Sequence, residues 1–181
     1  PMVILVVGAG LWLLSGALLG HLFRDTAIAF HRELEQTTGR TNGRFADTDW
    51  TPIRYLNRNF PHEVLMGFMR SGQVGIVTPL RDGMNLVAKE FVAAQDPSDP
   101  GVLILSTLAG AARELGSAVM VNPYDTRGMA HAIQQAFNMP LAERRDRHQA
   151  MLEVLRRNSI EHWHTSFIET LERHATPTLK R

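Results

Sequence analysis

The sequence contains no cysteine among its 181 residues. A disulfide, a thiolate metal site and a cysteine nucleophile are therefore all excluded. An excess of charge is also lacking, because 19 lysines and arginines stand against 18 aspartates and glutamates. Nothing in this balance points to a nucleic acid as partner. The length is sufficient for one domain with its own core.

Aspartate, glutamate, lysine and arginine are all missing from positions 2–23, which read MVILVVGAGLWLLSGALLGHLF. A run of about 20 apolar residues is long enough to cross a bilayer as a helix. The arginines that follow would then keep the remainder of the chain in the cytoplasm. The same run is also typical of a buried strand at residues 3–7 that enters a glycine turn. Two interpretations stay open: a cytoplasmic chain anchored to a membrane by residues 2–23, and a chain that buries this run.

Short apolar stretches alternate with helical patterns along the chain. The pattern predicts strands at residues 51–57, 73–79, 102–106 and 117–123. A polar loop is expected at residues 39–49. Strands that alternate with helices favour a parallel sheet with helices on both faces, so we expect an α/β fold with a doubly wound sheet. The expected organisation is an apolar segment at 1–24, one domain at 25–174 and a tail at 175–181.

The stretch from Val77 to Glu90, VTPLRDGMNLVAKE, has the pattern of a binding site. It lies where a predicted strand ends and a helix begins, and ligands of open α/β sheets bind at that edge. Gly83 lets the backbone approach a ligand, and the leading amides of the helix form an anion site. Asp82 and Glu90 can accept hydrogen bonds from sugar hydroxyls. The alternative is an ordinary solvated turn, because isolated glycine turns are common.

The segment TPLRDGMNLVAKEFVAAQDP resembles the most characteristic segment of the trehalose-6-phosphate synthases. Its neighbours resemble the same family in the same order: GRTNGRF, WTPIRYLNRNF, GVLILSTLAGAARELGSAVMVNPYD, LAERRDRHQAML and NSIEHWHTSFIETL. The resemblance extends from about His31 to about His174. It implies the Rossmann-like, donor-binding C-terminal half of a retaining glycosyltransferase. Enzymes of this family transfer glucose from UDP-glucose to glucose 6-phosphate in trehalose biosynthesis.

The resemblance also implies roles for residues of the strand–helix turn. Asp82 would be the catalytic residue that contacts the donor glucose, and Glu90 would hold the ribose hydroxyls. The backbone between them would bind the rest of the donor, with the glucose beside Gly83, Met84 and Asn85 and the diphosphate beside the amides of Leu86 and Val87. Phe60 would lie near the uracil, with a core aromatic residue as the alternative. The resemblance implies no cofactor, metal ion or protein nucleophile. It also implies that the leaving diphosphate would help to deprotonate the acceptor.

Two features depart from the pattern of the family. The chain has no room for the N-terminal domain that binds the acceptor phosphate, and the Arg and Lys that clamp the donor phosphates cannot be assigned before residue 31. Such cations supply much of the charge stabilisation when a phosphate leaves. We therefore expect UDP-forming glucosyl transfer by a truncated chain whose partner is a missing N-terminal domain or a second copy. The alternative is a non-catalytic remnant that binds a nucleotide or is tethered to a membrane.

Overall fold

The computed structural model describes residues 3–5, 17–56 and 58–175. It divides the chain into two compact units. The larger unit combines Pro1–Ala9 with Pro61–Arg181, and the smaller unit is Gly10–Phe60. The three-segment organisation expected from the sequence stays a prediction.

The smaller unit contains a long helix, α1 (Ala17–Phe45), followed by an irregular segment. The side chain of Asn42 fixes that segment, because it donates to the carbonyl of Ile53 over 2.8 Å and accepts from the amide of Ile53 over 2.9 Å. A second link is the 2.9 Å hydrogen bond between His31 Nδ1 and the hydroxyl of Tyr55.

These contacts correct two predictions for the smaller unit. The strand predicted at residues 51–57 is wrong, because residues 51–56 form no strand. Both main-chain groups of Ile53 bond to one side chain, which takes the place of a neighbouring strand. The loop predicted at residues 39–49 is wrong in its first half, because α1 continues to Phe45.

A parallel sheet of four strands lies at the centre of the larger unit, among the residues that the structure describes. In spatial order, which is also chain order, the strands are β1 (Val3–Leu5), β2 (Val74–Val77), β3 (Val102–Ser106) and β4 (Val119–Val121). Val74 lies opposite Val3 in β1 and Val102 in β3. All residues of β2 and β3 are buried. Their sequences are apolar up to Ser106, because a parallel strand covered on both faces has no solvated side.

Helices cover both faces of this sheet. They are α2 (His62–Ser71), α3 (Leu86–Ala94), α4 (Thr126–Phe137) and α5 (Leu141–Arg157), with a 3-10 turn at Gly110–Arg113. A further helix, α6 (Ile160–Ala175), follows α5, and its residues 160–174 are exposed. One buried cluster joins side chains of α2, α3 and α5 to Val77 and Leu105, and a second cluster joins α4 to Val74 and Ile104. The α/β fold with a doubly wound parallel sheet, predicted from the sequence, is confirmed.

Most of the apolar run at residues 2–23 lies outside the described residues. Within it, residues 3–5 form β1 and residues 17–23 belong to α1. None of the helices in the described part of the chain combines the length and the apolar character that a bilayer crossing requires. The membrane anchor and the cytoplasmic location expected from the sequence stay predictions.

A buried glutamine connects α2 to the start of β3. Gln95 is 4% exposed. Its side-chain amide donates to the carbonyl of Met69 over 2.6 Å, and its oxygen accepts from the amide of Gly101 over 2.7 Å. Because Gly101 immediately precedes β3, this side chain fixes where the strand begins.

We expect Gln95→Ala to lower the free energy of unfolding by about 1–3 kcal/mol, because it leaves the buried amide of Gly101 unpaired and removes one of the two donors to the Met69 carbonyl. The matched control is Gln149→Ala, since Gln149 is exposed on α5 and its side chain bonds, among the described residues, only to Glu153. The control should change the same quantity by less than about 0.5 kcal/mol. Urea unfolding followed by circular dichroism measures both variants, and equal losses would contradict the anchoring role of Gln95.

Candidate functional site

The predicted binding segment lies at the carboxyl end of the sheet. β2 ends at Val77 and β3 ends at Ser106. The residues that follow these strands meet through a short parallel bridge between Asp82 and Ala109. Open parallel sheets bind ligands at this edge, so the segment occupies a position from which it can form a site.

Asp82 organises the turn with both oxygens of its carboxylate. Oδ1 accepts a hydrogen bond from the backbone amide of Met84 over 3.0 Å, and Oδ2 accepts one from the side-chain amide of Asn85 over 2.9 Å. Each carboxylate oxygen carries a second lone pair. The half-buried side chain of Asp82 can therefore hold the turn and accept hydrogen bonds from a ligand at the same time.

Asn85 precedes α3 in an unusual backbone conformation. Its φ of 73° is the one positive φ of a non-glycine residue in the described part of the chain. Asparagine tolerates this region because its short side chain can hydrogen-bond locally. The Asn85 Oδ1 atom caps the helix by accepting from the amide of Ala88 over 2.9 Å. Our sequence analysis used only the backbone of Asn85 and missed this side-chain role, although Asn before an apolar helix is a helix-start signal.

The leading amides of α3 lack an acceptor within the described residues. The N–H groups of Leu86 and Val87 come before the capped amide of Ala88, and helix geometry leaves such amides unpaired. Together with the helix dipole, they favour an anion at this end of α3. The side chains of Met84 and Leu86 are 55% and 59% exposed beside them. The helix end thus combines free donors with accessible apolar surface.

Glu90 lies one turn further along α3, on the same helix face as Leu86. Its side chain is half-buried, and it has no hydrogen bond or ion pair to any other described residue. The neighbouring Lys89 instead pairs with Glu114, with 2.7 Å between Nζ and Oε1. The Glu90 carboxylate is therefore available to accept hydrogen bonds from a ligand.

Phe60 belongs to the smaller unit, at its last residue. The guanidinium of Arg58 lies over its ring, 4.8 Å from the ring centroid. Residues 58–60 form no strand. Its contact with a uracil ring stays a prediction.

A polar network supports α3 from the side of the 3-10 turn. Besides Lys89, Glu114 binds Asn158, whose side-chain amide donates to Oε2 over 3.1 Å. The hydrogen bond from Lys89 is the main cause that holds the pKa of Glu114 below its ordinary value of 4.5, against the opposing effect of burial. Within the described ranges, no three His, Asp or Glu side chains converge in a way that could hold a metal ion.

Sequence comparison relates nearly the whole chain to one family. Residues 24–173 match glycosyltransferase family 20. The chain is 57% identical over 141 residues to the trehalose-6-phosphate synthase of Enterobacter sp. (strain 638), in a match that covers 78% of this chain and 30% of that enzyme. The chain therefore spans about 30% of the length of the curated relatives that it matches.

Two solved structures extend the similarity to three dimensions. The homologue from E. coli bound with UDP-2-fluoro glucose is 55% identical, with a TM-score of 0.76 over 78% of this chain and 31% of that one. An alpha,alpha-trehalose-phosphate synthase (UDP-forming) from Burkholderia xenovorans, in complex with glucose-6-phosphate, is 54% identical with a TM-score of 0.76 and the same coverage of 78% and 31%. This chain is similar to both in sequence and in fold.

We expect Asn85→Asp to destabilise the protein most at neutral pH. The change replaces the amide that donates to Asp82 over 2.9 Å by an oxygen, and two adjacent carboxylates raise the pKa of one of them. The loss of stability should shrink as the pH falls through that raised pKa, because protonation restores a donor.

Asn85→Gly is the matched control, because glycine accepts the left-handed φ without adding a charge. It should lower the free energy of unfolding by about 1 kcal/mol or less at every pH. Urea unfolding at a series of pH values compares the two variants. Parallel pH profiles would show that the Asp82–Asn85 contact does not form.

We expect Glu114→Gln to lower the free energy of unfolding by about 0.5–1 kcal/mol near neutral pH. Because the pKa of Glu114 is lowered in the folded state, the contribution of this carboxylate to stability is fully present above about pH 4.5. It disappears as the pH falls through the lowered pKa. The difference from the wild type should therefore vanish in acid. Glu169→Gln, on the exposed surface of α6, should have no effect in the same unfolding series, and a Glu114 difference that persists in acid would contradict the ion pair with Lys89.

Proposed function

Because the chain belongs to glycosyltransferase family 20, we propose that it forms the donor-binding part of a retaining glucosyltransferase. In this proposal the turn at residues 82–87 holds UDP-glucose, and the glucosyl group passes to glucose 6-phosphate. The products are trehalose 6-phosphate and UDP. The relatives support these substrates, since one is a trehalose-6-phosphate synthase and two homologous structures hold UDP-2-fluoro glucose and glucose-6-phosphate.

The observation that carries the proposal is the complementarity between one turn and a nucleotide sugar. The turn offers carboxylate acceptors at Asp82 and Glu90 and amide donors at Leu86 and Val87, none of the amides being bonded within the described residues. A nucleotide sugar presents the opposite set, with hydroxyl donors on its two sugars and acceptors on its diphosphate. Glu90 follows Leu86 by four residues, which is about 6 Å along the helix axis. This spacing separates a site for the ribose from a site for the diphosphate.

The proposed chemistry assigns charge stabilisation to α3 rather than nucleophilic attack to a carboxylate. The bond from the anomeric carbon to the diphosphate breaks, and the amides and dipole of α3 stabilise the developing negative charge. The acceptor oxygen bonds to the same face of the anomeric carbon, and its proton passes to the leaving diphosphate. Asp82 is assigned to the glucose hydroxyls. It is not assigned to nucleophilic attack, because each of its oxygens already accepts a hydrogen bond within the turn.

The acceptor site is proposed to need more protein than the matched segment, which covers about 30% of the relatives. A protein equivalent to the N-terminal part of those relatives would bind glucose 6-phosphate. A second copy of this chain is the other partner that the sequence suggests.

A second candidate is a module that binds the nucleotide sugar without catalysis. The observation in its favour concerns Lys89, the one lysine in α3. It is engaged with Glu114 at 2.7 Å and so is not available to clamp phosphates. Removing one such stabilising group typically costs about 10²–10³ in rate.

We expect UDP and UDP-glucose both to bind the wild-type chain in calorimetric titrations. Glu90→Ala should weaken both by about 10- to 100-fold, because a hydrogen bond to a charged group contributes about 1.5–3 kcal/mol. Glu169→Gln is the control, because it neutralises one exposed acidic residue on α6, far along the chain from Glu90. Its affinities for both ligands should match those of the wild type.

The outcomes separate the candidates. A folded wild-type chain that binds neither ligand would overturn donor binding. A chain that binds UDP-glucose can then be mixed with the N-terminal part of the Enterobacter relative and glucose 6-phosphate. Release of UDP would support the transferase, whereas binding without release would favour the non-catalytic module.

A further inference from the structure

We propose that Gly110 is a positioning residue for the donor, through a loop that sets the place of the donor-binding turn. The loop, residues 107–111, follows β3 and is called the template loop below. The inference rests on the proposed function, because it concerns the turn that would hold the glucose.

Two main-chain hydrogen bonds attach the template loop to the turn. The amide of Gly110 donates to the carbonyl of Asp82 over 2.9 Å, and the amide of Ala111 donates to the carbonyl of Met84 over 2.6 Å. The two acceptors lie on either side of Gly83. The turn is therefore bonded to the template loop at two points, in addition to the two hydrogen bonds that the Asp82 carboxylate makes within the turn itself.

The contact is so close that position 110 requires glycine. A Cβ atom built on Gly110 would overlap the carbonyl oxygen of Gly83 and lie 2.5 Å from its carbonyl carbon and 3.0 Å from the amide nitrogen of Met84. These are backbone atoms, so no change of rotamer can make room. At Gly83 itself a Cβ atom would meet nothing within 4 Å. Within the protein, the close approach therefore depends on Gly110 and not on Gly83.

The template loop is fixed in turn by the buried sheet. Ser106 is fully buried at the end of β3. Its Oγ accepts from the amide of Leu108 over 3.1 Å, and its carbonyl accepts from the amide of Ala109 over 3.1 Å. The amide of Thr107 donates to the carbonyl of Val121 in β4 over 2.9 Å. The core thus sets the position of the loop, and the loop sets the position of the turn.

Displacement of the turn should affect one end of the donor more than the other. In the proposed function residues 82–84 contact the glucose, whereas Glu90 on α3 contacts the ribose. A side chain at position 110 would push the Gly83 carbonyl away and leave the helix in place. The glucose contribution to binding should then fall while the nucleotide contribution persists, which a general loss of stability would not produce.

The test is calorimetric titration of the full chain with UDP and with UDP-glucose, for the wild type, Gly110→Ala and Gly116→Ala. Gly116 is the matched control, because a Cβ atom there meets nothing within 4 Å and, among the described glycines, none has a positive φ. Gly110→Ala should weaken UDP-glucose binding by about tenfold or more, since the loss of one hydrogen bond between the glucose and the charged carboxylate of Asp82 corresponds to about that change in the dissociation constant. It should weaken UDP by less than about threefold, and Gly116→Ala should change neither.

A folded Gly110→Ala variant with the wild-type ratio of the two dissociation constants would overturn the inference and leave the proposed function intact. Where Gly110→Ala does not fold, Ser106→Ala loosens the loop without adding atoms, and it should show the same selective loss at smaller size. An unchanged ratio in Ser106→Ala would then overturn the inference.

A wild-type chain that binds neither ligand would overturn the proposed function. In that case the template loop is tested by hydrogen exchange of the Ala111 amide, which bonds to the Met84 carbonyl. Exchange should be faster in Ser106→Ala than in the wild type. Equal exchange would show that the loop does not hold the turn.

Discussion

Burial of β2 and β3 on both faces is the constraint on which the larger unit depends. All residues of Val74–Val77 and Val102–Ser106 are buried, so their main-chain groups must bond to neighbouring strands. Parallel pairing requires crossover connections, and these bring successive strand ends to one edge of the sheet. Phe91 shows how tightly α3 fits, because its ring occupies the space that a side chain on Gly75 would fill, 2.6–2.8 Å from an ideal Cβ. The N-terminus of α3 is therefore fixed at the edge where β2 ends.

At that edge, local hydrogen bonds offset the conformational cost of the turn. A residue in a sparsely populated backbone region costs about 1–3 kcal/mol. Asn85 offsets this with two side-chain hydrogen bonds, to Ala88 and to Asp82, and each contributes about 0.5–1.5 kcal/mol, or more with a charged acceptor. The two further bonds from the template loop make the arrangement rigid before any ligand arrives. Such rigidity is what a binding site needs in order to hold a sugar in one orientation.

The sequence predicted those features that depend on local pattern. β3 was placed correctly at 102–106, because a continuous apolar run there is bounded by Gly101 and Thr107. Membership of the family, inferred from TPLRDGMNLVAKEFVAAQDP, is confirmed by the match over residues 24–173. The segment at 51–57 was misread because the partner of Ile53 is the distant side chain of Asn42. No local pattern predicts the role of Gly110 either, because this role arises only where two separate loops meet.

The proposed donor binding and the proposed glucosyl transfer need different amounts of electrostatic stabilisation. A helix N-terminus contributes about 0.3–2 kcal/mol toward a nearby anion, whereas a micromolar dissociation constant requires about 8 kcal/mol. In the proposed function, donor affinity must therefore come mostly from hydrogen bonds to the two sugars, which the proposal assigns to Asp82 and Glu90, and from contact with the base. Transfer would also require stabilisation of the negative charge that develops on the diphosphate. Lys89 is paired with Glu114 and does not supply that stabilisation. Under the proposed function, the domain would bind the donor and still depend on cations from a partner to break the bond between the anomeric carbon and the diphosphate.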